Sequence, residues 1–385
     1  MVKRVFLVLF MAVFVSMIGI GLIIPLLPIY AESLGAKGVW LGVIFSGFSI
    51  SRALFMPLIG RWSDRKGRRI FIALGLFLYA IISLGFIVAR NVGELTVVRL
   101  MQGFAAAMTV PVAMAYIGEL SPKEHEGYYM GSFNIALYAG FGFGPIMGGV
   151  LEQYFSINAN FYAMGGLSLL SFLLVIFFLP ELHLYKRKES VRPTLYRDIL
   201  RSNTMKGLTT FRIANSFGRG VNACFIPILA HNYLRLTSTQ IGLLISINLL
   251  LTAFLQGSFG WLADRVSRKK LVILGSLIAS FALFMVPLAG RFSILLIINS
   301  IMGVAGAIAL PSATALTVTE GRNFGMGSTM GIFNMAMSIG LAGGPMVGGV
   351  IYDYLNIPAV YCFAGLFGLI GTAFFIWFVR PITGR

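Results

Sequence analysis

Four polar residues stand on one face of an otherwise apolar stretch: Arg212, Asn215, Arg219 and Asn222, spaced by three, four and three positions. On an α-helix that spacing makes a single stripe. Its chemistry is recognition rather than bond breaking, because a guanidinium presents a fixed fork of donors to a carboxylate or phosphate and an amide presents both a donor and an acceptor. Arg219 lies near the middle of the run, where an unpaired charge in a bilayer costs at least about 2.5–3.5 kcal/mol. It is therefore expected to face a wet cavity and act there, with a structural ion pair as the alternative. Arg212, nearer the end of the run, is expected to snorkel. Arg99 and Gln102 share a face of a second apolar run, and Asn299 holds the matching place two hundred residues on. Arg52 lies roughly 10 Å inside its run at ~1.5 Å per residue, and either lines the cavity or snorkels. Asn134 and Asn334 read as cavity hydrogen-bonders or as interhelical ties. No cluster of His, Asp, Cys or Ser falls on an apolar run; His125, His183 and His231 lie in loops or at run ends. Neither an enzyme nor a metal or other cofactor is expected.

These residues need long helices to hold them. Of 385 residues, 58% are hydrophobic and only 11% charged, more apolar surface than an ordinary soluble core hides. The expectation is an all-α polytopic membrane protein. Twelve runs are long enough to cross a ~30 Å hydrocarbon layer: 6–30, 39–59, 70–88, 95–118, 128–151, 161–179, 208–233, 241–259, 271–289, 292–318, 327–352 and 359–379. A net charge of +17 would suit a nucleic-acid binder, but the basic residues are spread through short loops, so no nucleic-acid partner is expected. With both termini in the cytoplasm, 22 of the 30 Lys and Arg fall in cytoplasmic segments and only Lys37, Arg90, Arg235 and Arg291 in outer loops. The positive-inside rule selects that orientation, and Trp40, Trp62, Trp261 and Trp377 lie near run ends as interfacial rings should. Cys224 and Cys362 both lie in apolar runs and read as small buried thiols. The N-terminal run is too long for a signal peptide and reads as the first span.

The chain is written twice. At an offset of 200, Gly42, Gly60, Asp64, Gly103 and Pro111 pair with Gly242, Gly260, Asp264, Gly303 and Pro311, and 131–134 (Gly-Ser-Phe-Asn) pairs with 331–334 (Gly-Ile-Phe-Asn). Six spans per half is an even number, so the repeat is parallel, with its axis along the membrane normal. The expected division is an N-terminal six-helix bundle over 1–179, a cytoplasmic linker over 180–206 and a C-terminal six-helix bundle over 207–385. The linker is basic enough to lie on anionic headgroups.

Three motifs then resemble a known family. The loop Gly60-Arg61-Trp62-Ser63-Asp64-Arg65-Lys66-Gly67-Arg68-Arg69 matches the major facilitator superfamily's signature between its second and third helices. The second copy, from Gly260 through Asp264 and Arg265, departs by Ser267 at the second glycine. Arg99 to Gly103 with the alanines that follow is similar to that family's arginine motif. The run Gly140, Gly144, Pro145, Gly148, Gly149 matches the glycine-proline motif of its drug:proton antiporters, and Gly340, Gly344, Pro345, Gly348, Gly349 repeat it. The sequence most resembles the twelve-helix drug:proton antiporter group.

The resemblance implies a secondary transporter working by alternating access, most like an exporter of small amphipathic organic compounds. It also implies that Gly60, Asp64, Arg65, Gly67, Arg68 and Glu119, with Gly260, Asp264 and Arg265, form a latch on the cytoplasmic side, and that Arg99 takes part in coupling. Glycines recurring every fourth residue bare a groove for a neighbouring helix, and the second copy suggests a hinge at both contacts between the halves. The antiporter group commonly carries an acid in its first span; Phe14 to Gly19 has none, and no Asp or Glu falls in mid-membrane. A proton as coupling ion is thus open. The surplus of arginine over carboxylate points to an alternative cargo, an organic anion or lipid headgroup. The expected partners are a small-molecule substrate and the lipid bilayer, with the chain a monomer in the plasma membrane.

Overall fold

The computed structural model describes residues 2–120, 126–181, 196–324 and 326–379. Its helices are α1 (Val2–Ile23), α2 (Leu27–Ser33), α3 (Gly38–Lys66), α4 (Arg68–Val88), α5 (Val92–Leu120), α6 (Glu126–Tyr154) and α7 (Ile157–Phe178). They continue with α8 (Tyr196–Ile199), α9 (Asn203–Ile228), α10 (Ser238–Arg265), α11 (Arg268–Met285), α12 (Phe292–Phe324), α13 (Met326–Tyr354) and α14 (Ile357–Phe378). The expected first span is broken into α1 and α2 by a turn around Pro25, which has no N–H to continue the ladder and whose ring crowds the carbonyl four residues back. Most of the 180–206 linker, residues 182–195, lies outside the described residues, as do the side chains of Asp64 and Asp264.

Among the described residues, eleven helical spans are long and apolar enough to cross a membrane, α1 with α2 counting as one. The twelfth, α9, has 26 residues but carries Lys206, Arg212, Arg219 and three asparagines. It is built in through its other face, where Leu208, Phe211, Val221 and Phe225 are fully or almost fully buried. A helix that polar survives inside the bundle only because its polar side has something other than lipid to face.

Helix pairing follows the internal repeat. In the first half α1 packs on α6 and α7, α5 on α3 and α4, and α4 on α7. In the second, α9 packs on α13 and α14, α12 on α10 and α11, and α11 on α14. The correspondence reaches single residues. A side chain at Gly103 would meet the Phe48 carbonyl, and one at Gly303 would meet the Asn248 carbonyl at 2.7 Å. These are two parallel-repeat six-helix bundles.

Two seams join the halves, α6 along α10 and α3 along α13. We call the end where the chain begins the near end and the opposite one the far end. Toward the far end the seams are backbone on backbone. A side chain at Gly149 would strike the Ser238 carbonyl, and one at Gly349 the Gly38 carbonyl, which is the same contact with the halves exchanged. One turn further in, Gly242 meets the Pro145 carbonyl and Gly42 the Pro345 carbonyl. Ser46 Oγ donates to the Ala342 carbonyl at 2.5 Å, and Ser246 Oγ accepts from the Ile146 N–H at 3.1 Å. Toward the near end the same faces part. Ile135 and Met335, two turns from Gly142 and Ala342, are 56% and 48% exposed, and a side chain built at Gly60 or Gly257 would meet nothing within 4 Å. The molecule is zipped at its far end and open at its near end.

The antiporter glycines divide between two jobs. Gly140, Gly144 and Gly148 press on Phe14, Gly21 and Leu22 of α1, and Gly340, Gly344 and Gly348 press on Ile213, Phe217 and Phe225 of α9. Each row therefore cements one half, and the expectation of a hinge is corrected for them. The halves touch through Gly149, Gly349 and the carbonyls of Pro145 and Pro345, on the adjacent helix face. A row at every fourth residue occupies one face of a helix, and a residue one position on is turned by ~100°.

Candidate functional site

The polar side of α9 faces the middle of the molecule. Arg212 is 7% exposed, its guanidinium 4.7 Å above the Phe333 ring of α13, and its NH2 group lies 2.9 Å from the Met337 sulfur. It does not snorkel: the aromatic face and thioether give the cation an internal environment that an extended side chain would forgo. Its Nε is buried without a hydrogen-bond partner. Arg219, two turns deeper on the same face, is partly exposed, and no described residue hydrogen-bonds it. The two guanidiniums are electrostatic neighbours, and Tyr138 of α6 is within range of Arg212 from the other half. Asn215 Oδ1, between them, is also buried without a partner.

Asn222 turns away from this group. Its amide donates to Asn299 Oδ1 at 3.1 Å, Asn299 donates to the Leu295 carbonyl at 3.0 Å, and Asn248 Nδ2 donates to the Asn299 carbonyl at 3.0 Å. This chain of amides ties α9, α10 and α12 together. Asn248 was missed from the sequence; its offset partner is Phe48, and only the structure shows that Phe48 meets Arg99. Asn299→Ala should cut the link to Asn222 and lower stability by about 1–2 kcal/mol, because the Asn222 amide loses its acceptor, while the bond from Asn248 to the main-chain carbonyl of residue 299 survives; unfolding in detergent followed by tryptophan fluorescence measures it.

Arg99 holds the place of Asn299 in the first half. It is 8% exposed, hydrogen-bonds Gln102, and donates from Nε to the Ile44 carbonyl at 3.4 Å. The Phe48 and Phe45 rings lie 4.6 and 5.6 Å from it. Gln102 reaches the Met164 sulfur at 4.0 Å. Arg99 and Gln102 thus bind α3 to α5 and are largely satisfied internally. Arg52 is half-buried in the same bundle, in electrostatic range of the Tyr79 ring of α4. Asn134 and Asn334 sit where the seams have parted, half-buried and exposed, and neither side chain makes a described interhelical hydrogen bond.

At the near end, Arg68 grips Glu119 with two bonds, Nε to Oε2 at 2.7 Å and NH2 to Oε1 at 2.5 Å, and its NH1 donates to Ser63 Oγ at 3.2 Å. This pair joins α4 to α5 within one half; Arg65 is exposed. Gly67 supplies the turn with φ +97°, a region closed to most side chains. In the second copy Ser267 takes φ −55°, Arg268 finds the Thr319 hydroxyl at 3.4 Å where the first copy has Glu119, and Arg265 lies 3.7 Å over the Trp261 ring. At that place the second loop offers a hydroxyl where the first offers a carboxylate.

The far end holds acids that the sequence reading passed over. Asp353 of α13 accepts from the Gly38 and Val39 N–H groups of α3 at 2.7 and 2.8 Å, capping a helix of the other half. Glu32 of α2 accepts from Asn232 Nδ2 at 3.1 Å, also across the halves. Helix α10 caps itself through the Thr237 and Gln240 capping box, whereas α3 is preceded by Lys37, which makes no side-chain cap. That missing cap was the readable signal.

Two repeat-related six-helix bundles with polar side chains between them are an architecture of secondary transporters, and the family comparison agrees. The model described as Major Facilitator Superfamily matches residues 9–215 and 208–385. The chain belongs to the major facilitator superfamily. As a multi-pass transporter of that superfamily it is 31% identical to an uncharacterized MFS-type transporter of Methanocaldococcus jannaschii over 373 residues, 96% of each chain. It is 26% identical over 377 residues to Multidrug resistance protein 2 of Bacillus subtilis, covering 96% of this chain and 94% of that one. Its backbone is similar to that of a bacterial homolog of the human lysosomal transporter Spinster, with a TM-score of 0.82 at 16% identity over 98% and 97% of the two chains. That last likeness is one of fold alone. Among major facilitators this chain is most like the drug-efflux transporters.

Proposed function

We propose that this transporter exports small amphipathic organic compounds, with the near end opening to the cytoplasm and both termini there, in the plasma membrane. One observation carries the reading: the halves are sealed at the far end by backbone contact and parted at the near end, above the α9 stripe. A cargo would enter from the near side, bind by the Arg219 stripe, and leave when the seams unzip. The bundle limits are taken as 1–179 and 207–385 with 180–206 linking them, and one chain forms the transport unit. The antiporter glycines and the resemblance to a multidrug resistance protein support export. Exchange against protons would use an acid outside mid-membrane, such as Glu119, Glu32 or Asp353.

Arg212 and Arg219 favour a second reading, in which the cargo is an organic anion or carries a phosphate headgroup. Two neighbouring guanidiniums with no carboxylate among their described partners create a field that attracts anions and repels cations. Proteoliposomes with imposed pH and sodium gradients, loaded with solutes matched in size but differing in charge, test both. Export of at least one amphipathic solute is expected, and gradient-driven uptake without exchange would refute the first reading. Arg219→Gln should slow anionic solutes about tenfold or more, the loss of one charge-assisted contact of roughly 1.5–3 kcal/mol, with little effect on neutral ones. Equal loss for both would remove the anion reading.

A further inference from the structure

A crevice of about 540 Å³ opens at the near end, remote from the transport cleft, between the start of α1, the start of α4 and the end of α7. Arg4 and Arg69 line it together with Val5, Phe177, Phe178, Leu179 and Pro180. Two guanidiniums together with an apolar lining match one class of molecule. We propose that this crevice binds an anionic phospholipid, the phosphate held between Arg4 and Arg69 and an acyl chain lying along Phe177 and Phe178.

The two arginines are differently prepared. Arg69 is partly buried and its position is set, since its NH2 group donates to the Ile176 carbonyl near the C-terminus of α7. Arg4 is exposed on α1 and free to close over a headgroup. Helix α4 begins one residue before Arg69, so its dipole adds to the positive field. Of the carboxylates on this side, Glu119 is held by Arg68, and Glu181, next in the chain to Pro180, lies against Gly67 with its Oε1 buried and without a described hydrogen-bond partner. The acyl wall is present because Phe177 and Phe178 are 72% and 53% exposed at a span end, the depth at which headgroup and chain meet. The second half does not repeat the arrangement. Position 204 is Thr where the first half has Arg4, 269 is Lys where it has Arg69, and Lys206 lies over the Phe378 ring. A bare phosphate would use the arginines but gain nothing from the wall.

The test is lipid retention by the full chain, read by native mass spectrometry after exchange into nanodiscs mixing phosphatidylglycerol with phosphatidylcholine. It needs no transport and is independent of cargo. Phosphatidylglycerol should be retained over phosphatidylcholine, and each of Arg4→Gln and Arg69→Gln should cut that preference roughly fivefold, with Arg4→Gln serving where Arg69→Gln disturbs the fold. Tyr354→Gln, at the far end, should leave it unchanged. Soluble glycerol phosphate should fail to displace the lipid. No preference in the parent chain, a preference indifferent to Arg4→Gln, or displacement by glycerol phosphate at comparable concentration would each overturn the proposal.

Discussion

Replacing Gly149 or Gly349 with valine should disfavour closure of the far end and slow transport of any cargo. The first added carbon would run into the Ser238 carbonyl at one seam or the Gly38 carbonyl at the other. A main-chain oxygen cannot swing aside as a flexible side chain can, so relief requires the helices to separate. Overpacking of this kind costs about 1–3 kcal/mol. Spent on one state of a two-state carrier, that shifts its equilibrium by roughly 5- to 150-fold. The double variant should do more than either alone, because the two contacts lie on separate seams and both must close. Valine at Gly148 is the informative contrast. It strikes Leu22 within the first half and should lower stability and yield without moving the balance between states. Distances between spin labels at Trp40 and Tyr354, after replacing Cys224 and Cys362, measure the opening; an unchanged distribution in the Gly349 variant would count against the far-end seal.

Asp353→Ala should open the same gate by removing an attraction instead of adding a clash. The carboxylate satisfies two N–H groups at the start of α3, and those bonds exist only while the halves are together. Helix caps contribute about 0.5–2 kcal/mol, and bonds to a charged group about 1.5–3 kcal/mol. Since Val39 is exposed, the lower part of that range applies, about 1–2 kcal/mol, or roughly a 5- to 30-fold shift toward the far-open state. Thr237→Val removes the cap of α10, which stays within its own half, and should therefore reduce stability without altering the label distances. If Thr237→Val opened the gate as far as Asp353→Ala, the cross-half cap would have no special role.

The Asp353 case shows where local reading ends. A capping box is written within four residues, so that of α10 is visible in Thr237 and Gln240, while the cap of α3 comes from a residue 315 positions away. Arg212 fails for a related reason. Distance from the end of a run suggested snorkelling, but the Phe333 ring and Met337 that hold it belong to another helix. The antiporter glycines were recognisable as a groove, yet which helix fills it depends on rotation about the helix axis: α1 and α9 take the row of fours, and the seams fall to Gly149 and Gly349 one step around. Arg99 and Asn299 were matched by offset, and only packing separated a cation over Phe48 from an amide chained to Asn248.

Taken alone, the amino-acid order determined what repeats and what must lie in lipid. Helix length, hydropathy, loop charge and an offset of 200 are properties of the chain itself, and they carry the twelve spans, the two bundles and the family. Tertiary structure decided which faces meet, which end is sealed and which polar groups find partners. Those outcomes depend on the relative rotation and tilt of helices joined by short loops, and nothing within a single helix specifies them.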